Sequence, residues 1–242
     1  MYSVSPAAPT ALVWPASRAD FKHELADQLE VFAFFQRMLA GQSCDQRILL
    51  VRAETNHGKS VLIEEFTEYA QGLLPWALVD LKGTPAPADV LEELNRELRK
   101  RLPGWVTAST LGEALNRLEE TARTRPLLIL FDTYEQGAEE LRKILEGSWF
   151  GAVRRTEGLC FIVSGQKVPA DWDKTHWAKW VHAVELTALR NADDWEAWAR
   201  ARHPTLTRQH IEALAIGFNG VPGSIAAALN TLGSSLSNRP TA

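Results

Sequence analysis

Ala53-Glu54-Thr55-Asn56-His57-Gly58-Lys59-Ser60 is the stretch whose residue types and spacing point most directly to chemistry. It follows an apolar run at 48–53 and leads at once into a segment where Leu62, Phe66, Tyr69 and Leu73 recur at helical steps. A strand, a tight loop and a helix in that order make a phosphate cradle. Loop N–H groups point inward, the helix N-terminus adds partial positive charge, a lysine reaches the β/γ-phosphates and the hydroxyl after it binds Mg²⁺. Gly58, Lys59 and Ser60 supply the last three positions of the GxxxxGK[ST] pattern, while Ala53 stands where its first glycine belongs. The competing reading is a surface turn capped by Ser60 with a solvated Lys59. The strand, loop and helix order favours the cradle.

A phosphate cradle that uses Mg²⁺ needs an acid at the end of a neighbouring buried strand. Leu127-Leu128-Ile129-Leu130-Phe131-Asp132 has that form. A carboxylate is costly inside a core and well placed at a strand's carboxyl end, the rim where open α/β sheets bind ligands. Asp132 either holds the water shell of the metal or caps the helix that starts near Glu135. Glu135 either polarises an attacking water or is a first-turn glutamate favoured by the helix dipole.

The elements that must carry these residues are legible in the spacing. Short apolar runs at 48–53, 76–81, 127–131, 159–163 and, more weakly, 181–186 predict strands buried on both faces of a parallel sheet. The intervening segments have helical period, including 90–102, 111–121 and the stripe Leu141, Ile144, Leu145 and Trp149. Strands alternating with helices predict an α/β sandwich: a mainly parallel five-stranded sheet with helices on both faces. After about residue 187 only helical period remains, in 193–201, 211–218 and 225–232. The division expected is a flexible lead-in at 1–20, an α/β domain at 21–188, a helical subdomain at 189–232 and a flexible tail at 233–242.

Composition narrows the classes of function. With 242 residues, 45% apolar and 23% charged, the chain is long enough for a core that needs neither disulfides nor metals. Its 26 basic and 30 acidic residues leave a net charge of −4, which argues against coating nucleic acid or anionic lipid. Cys44 and Cys160 are far apart, so no disulfide framework or cysteine zinc site is indicated and a cytoplasmic setting is expected. The N-terminus lacks early Lys or Arg and is interrupted by Pro6, Pro9 and Pro15, unlike a signal peptide. No run approaches the roughly 20 apolar residues of a membrane span. The histidines show no metal-ligand spacing, and no GxSxG elbow is present.

Taken together, these segments resemble the P-loop NTPases of the AAA+ and STAND type, the second being the signal-transduction group with NACHT and NB-ARC modules. Four features carry the likeness over about 21–232. Ala26-Asp27-Gln28-Leu29-Glu30-Val31 with Phe34-Phe35 and Met38-Leu39 looks like the helix that borders the adenine pocket, with Gln28 in place of the usual Arg. Arg47 to Ser60 looks like a strand plus Walker A, and the FDTYE of Asp132 and Glu135 like Walker B. Gly220-Val221-Pro222 is similar to the GxP motif whose proline packs over the base.

The resemblance implies Mg-ATP as ligand. Thr55, Asn56, His57, Gly58, Lys59, Ser60, Ser164 and Pro222 would contact the nucleotide, with Ser60 and Asp132 on Mg²⁺ and Lys59, Asp132 and Glu135 in catalysis. Ser164 falls at the sensor position, in Ser164-Gly165-Gln166 where the family often has an Arg or another polar group. The span 171–179 offers Lys174, His176 and Lys179 but no arginine finger, and Arg154 and Arg155 are read as solvated. These departures argue against fast hydrolysis. The expected role is a slow ATP-dependent regulatory switch whose helical lid signals to a separate protein partner, with nucleotide-dependent self-association a further option. The alternative is a degenerate scaffold that holds nucleotide statically or not at all. A nucleic-acid loader is disfavoured because a winged-helix domain finds no room after the lid. The pairs Trp177/Trp180 and Trp195/Trp198 are each expected on one helical face as packing, or as a partner surface, and His57 as a loop filler or phosphate contact.

Overall fold

The computed structural model describes residues 12–16, 18, 26, 28–43 and 45–237. Cys44 and most of the lead-in lie outside that set. Five strands, β1 (Ile48–Ala53), β2 (Trp76–Asp80), β3 (Leu127–Asp132), β4 (Leu159–Gly165) and β5 (Val181–Leu186), form one parallel sheet in the order β2-β3-β4-β1-β5. The uninterrupted apolar runs follow from this order, because β1, β3 and β4 are interior strands covered on both faces. β5 is an edge strand, and its alternating burial matches its weaker apolar signal.

Period-2 alternation divides the core into two layers. Leu49, Val51, Leu128, Leu130 and Ile162 face α1 (Leu29–Leu39) and α2 (Lys59–Ala70). Leu50, Ile129, Phe131, Phe161 and Val163 face α3 (Pro87–Arg101), α4 (Leu111–Ala122) and α5 (Glu139–Ile144). α1 is fixed to α2 by rings: Phe35 is fully buried with its centroid 4.2 Å from Phe66 and 5.8 Å from Tyr69. Truncating Phe35 to Ala would cost about 3–5 kcal/mol. That packing sets where the start of α1, and Gln28 before it, meets the loop at 53–60.

The stripe expected from Leu141 to Trp149 is not one regular helix. α5 ends at Ile144, a π-helical turn covers Leu145–Trp149, and a 3₁₀ turn covers Phe150–Arg154. Widening to i→i+5 bonds still buries Leu145 and Trp149, so apolar spacing could not distinguish the two.

Three helices, α6 (Ala192–Arg202), α7 (Arg208–Gly217) and α8 (Pro222–Ser237), share their own core of Leu189, Trp195, Ala199, Ile211, Ile225 and Leu229. Thr207 caps α7 in a reciprocal pair with His210, and Arg208 joins the helices through Asp193 (2.6 Å), Glu196 (2.9 Å) and Glu212 (2.9 Å). Pro222 opens α8 at a position where its missing N–H costs nothing. α8 continues through Gly233, packed close to His203, and Leu236, packed on the helical core, so helix occupies much of the expected tail. In the lead-in, Trp14 packs on the α1/α2 layer and the Arg18 N–H donates to Tyr69 Oη at 3.1 Å. Among the described residues no helix is long and apolar enough to cross a membrane.

Candidate functional site

The parallel topology aligns the carboxyl ends of all five strands along one rim, and the loops after β1, β2, β3 and β4 meet there. Ala53 ends β1 in register with Leu186, so the position where the sequence pattern wants glycine is ordinary extended backbone and accepts a Cβ. The sharp turns come later, at Asn56 (φ 65°) and Gly58 (φ 84°). An added Cβ on Gly58 would meet open space, so glycine is needed there for its left-handed backbone rather than for room. The His57 N–H donates to the Glu54 carbonyl at 3.2 Å and closes the loop. The first N–H groups of α2 lack intrahelical acceptors.

Lys59 Nζ donates to Asp132 Oδ1 at 2.6 Å, with both side chains largely buried. The same oxygen accepts from Ser164 Oγ at 2.5 Å and from the Thr133 N–H at 2.8 Å. Thr133 has φ 54°, a strained conformation for a β-branched residue, and its turn directs the N–H back onto the carboxylate. Three donors on one oxygen satisfy a charge that would otherwise be expensive at this depth. Beneath them Tyr134 is buried and donates to Glu146 Oε1 at 2.5 Å. Burial, reinforced by Glu146, holds its hydroxyl pKa well above the ordinary tyrosine value, so it stays a donor.

Glu135 is half-buried at the edge of the cleft and already has a partner. Its Oε2 accepts the Gln166 N–H at 2.9 Å, and the Gln166 amide donates onward to Thr55 Oγ1 at 2.9 Å. Gly165 makes this approach possible, since a Cβ there would lie 2.3 Å from Glu135 Oε2 and 3.2 Å from the Tyr134 nitrogen. The end of β3, the end of β4 and the phosphate loop are thereby linked in one chain of hydrogen bonds.

A cleft of about 380 Å³ runs over this rim, lined by Thr55, Asn56, Gly58, Lys59, Ser60 and Glu135 among the expected residues. Lys82, Thr133, Gln136 and Gln166 line it as well, and sequence reasoning assigned none of them a role. Ser164 is fully buried and acts from below, through Asp132. Beside the cleft lies an apolar slot of about 110 Å³ between Gln28, His57, Val61, Trp195, Trp198 and Pro222. Cleft and slot share Gly58, Val61 and Gly223, and the Gly223 N–H donates to the Asn56 carbonyl at 2.9 Å. The start of α8 thus rests on the phosphate loop. His57 borders the slot with Nδ1 3.1 Å from its neighbour's carbonyl, Thr55 O.

The donors suit a hard cation bound together with phosphate. Ser60 and Asp132 offer one hydroxyl and one carboxylate, matching the way Mg²⁺ takes one or two protein oxygens and completes its shell with water and phosphate. Among the described residues no group of three His, Cys, Asp or Glu is placed to hold a metal alone.

One other expectation is revised. Trp177 and Trp180 do not lie on a helix; 171–180 is a 3₁₀ turn followed by further turns, entered through a left-handed Asp171. Arg154 and Arg155 are exposed, as expected, though each has a partner: the Arg154 guanidinium lies 3.9 Å from the Trp177 ring and 4.8 Å from Trp180, and Arg155 pairs with Glu119 at 2.7 Å.

No family model and no curated protein matches the sequence. Among solved structures, the chain is similar to a Walker-type ATPase of Pyrococcus abyssi, with a TM-score of 0.65 and 15% identity over 90% of this chain and 70% of that one. It is also similar to the ORC2 protein of Aeropyrum pernix in its ADP form, with a TM-score of 0.55 and 14% identity over 94% of this chain and 68% of that one. Cdc6p from Pyrobaculum aerophilum aligns with a TM-score of 0.55 and 13% identity over 89% of this chain, which spans 62% of that protein. At such identities the likeness is one of architecture, and with the parallel sheet, the loop at 53–60 and Asp132 closing β3, it establishes that the chain has the P-loop NTPase α/β fold.

Proposed function

We propose that this chain binds Mg-ATP and acts as a slow, nucleotide-dependent regulatory switch of the STAND type. The observation that carries the reading is the junction of cleft and slot at Gly58, Val61 and Gly223. A nucleotide spanning that junction touches the α/β unit, proposed at 21–188, and the helical lid, proposed at 189–232. The apolar slot, with Pro222, Trp195 and Trp198, takes the base. The loop N–H groups and Lys59 take the phosphates. Ser60 and Asp132 would hold Mg²⁺, which when bound would offset phosphate negative charge.

Lys59 must leave Asp132 to reach phosphate, so nucleotide entry exchanges one ion pair for two contacts, Lys59 with phosphate and Asp132 with the metal. Hydrolysis would have water attack the γ-phosphorus and break its bond to the β–γ bridging oxygen, releasing ADP and phosphate while Glu135 takes the water's proton. Glu135 is engaged with the Gln166 N–H, which supports slow turnover. Loss of the γ-phosphate would weaken the contact between loop and α8 and free the lid to signal to a separate effector. A cytoplasmic setting suits such a switch.

Calorimetry with Mg-ATP on wild type and Lys59→Ala, with phosphate release followed in parallel, tests the reading. Wild type binds, Lys59→Ala does not, and turnover falls well below about 1 s⁻¹, the low end of ordinary enzymes. Wild type that binds no nucleotide overturns it. The static scaffold is the second reading, and the self-satisfied pair of Lys59 and Asp132 favours it, since the cleft needs no ligand to neutralise either charge.

A further inference from the structure

We propose that Lys82, in the turn after β2, is the cation this chain brings to the terminal phosphate, an inference that rests on the nucleotide-binding reading of the cleft. Lys59 and Lys82 are the two cationic side chains lining the cleft among the described residues. The first stands 2.6 Å from Asp132; the second is exposed and makes no ion pair among the described residues. A magnesium triphosphate keeps net negative charge after both its metal and one lysine are counted, and charge develops further on the γ-oxygens as that group transfers.

Several cations outside the cleft are engaged elsewhere. Lys174 pairs with Asp171 at 3.0 Å and Lys179 with Asp45 at 2.9 Å, and Lys167 borders a separate groove beside β5. Arg154 is held against Trp177 and Trp180.

The backbone of the Lys82 turn is anchored at three successive N–H groups. Leu81 donates to the Asp132 carbonyl at 2.9 Å, Lys82 to Asp80 Oδ1 at 3.0 Å and Gly83 to Gln136 Oε1 at 3.0 Å. Gly83 (φ 84°) and Thr84 (φ 56°) then reverse the chain through two left-handed residues. Two of the three bonds go to 132–136, so the turn is fixed to the segment that carries Asp132 and Glu135. Direction follows from the lining: base slot and cleft meet at Gly58 and Gly223, whereas Lys82, Thr133 and Gln136 belong to the cleft alone. A phosphate chain running away from the slot ends among them. Lys82 therefore distinguishes a nucleoside triphosphate from a diphosphate.

The test is calorimetric affinity for Mg-ATP and Mg-ADP in wild type, Lys82→Ala, Lys82→Arg and Lys59→Ala. Lys82→Ala weakens Mg-ATP by about 10- to 100-fold, the span of one charge-assisted hydrogen bond, and Mg-ADP by less than about 2-fold. Lys82→Arg keeps the ATP-to-ADP preference, Lys59→Ala weakens both ligands, and the melting curve of Lys82→Ala matches wild type because the side chain is exposed. Equal loss for ATP and ADP in Lys82→Ala, or no loss for either, overturns the assignment while leaving nucleotide binding intact. Wild type that binds neither ligand overturns the nucleotide reading and this inference with it.

Discussion

Glu135 and Gln166 meet across the ends of β3 and β4, the carboxylate oxygen Oε2 accepting the backbone N–H at 2.9 Å, and Gly165 leaves the gap that lets them meet. Gly165→Ala puts a methyl group where Glu135 Oε2 and the Tyr134 nitrogen already stand. The contact is rigid on the Tyr134 side, so Glu135 must give way. The variant loses about 1–3 kcal/mol of stability, read as a lower urea midpoint at unchanged slope. Phosphate release per bound nucleotide changes with it, because the displaced carboxylate no longer shares the Gln166 N–H. An unchanged midpoint would show that the β3 and β4 ends are looser than this geometry.

On the proposed reading, Trp198 and the loop at 53–60 contact different parts of one nucleotide. Trp198 packs edge to face on Trp195 at 5.5 Å and borders the apolar slot, away from Lys59. Trp198→Ala should weaken Mg-ATP about 10-fold, the scale of one base-to-aromatic contact, while inorganic tripolyphosphate binds as in wild type. Competition between the two ligands in the same titration checks this. Equal losses for both would place the base elsewhere.

His182 sets an acid-side stability window. Its ring stacks on Phe34 at 4.0 Å in the seam between α1 and β5, and burial there, assisted by Arg37, holds its pKa below the ordinary 6.5. The folded state therefore binds fewer protons than the unfolded chain between that lowered value and 6.5. Stability from the neutral ring is complete above pH 6.5, falls as pH drops below it and levels off beneath the folded pKa. His182→Phe keeps the stack and removes this part of the slope, seen as a flatter melting temperature as pH falls below 6.5. Wild type and variant with parallel profiles would contradict it.

Much of the architecture was legible because parallel strands and amphipathic helices write different periods. Lys59 and Asp132 were legible because each ends or begins an element whose period announces it. Gln166, Lys82 and the contact between Gly223 and Asn56 were not, since each depends on which strand ends become neighbours. The order β2-β3-β4-β1-β5 is a property of packing and leaves no local trace. Trp177 and Trp180 show the converse failure: a spacing of three fits a helix face, and only the left-handed Asp171 before them and Arg154 between their rings make it a turn. The missing first glycine costs no backbone strain, because Ala53 ends β1 in ordinary extended conformation.

The three donors on Asp132 Oδ1 also bear on the order in which the molecule assembles. Lys59 is 73 positions away in the chain and Ser164 is 32, so that oxygen is satisfied only after β1, β3 and β4 have aligned. Contacts of such sequence separation tend to close late, on the native side of the folding barrier. Ser164→Ala should then remove about 1 kcal/mol and spend nearly all of it on faster unfolding, with the refolding limb of the chevron unmoved. The node beneath the cleft is thus also a latch on the finished sheet, one that slows escape from the native state without hastening arrival.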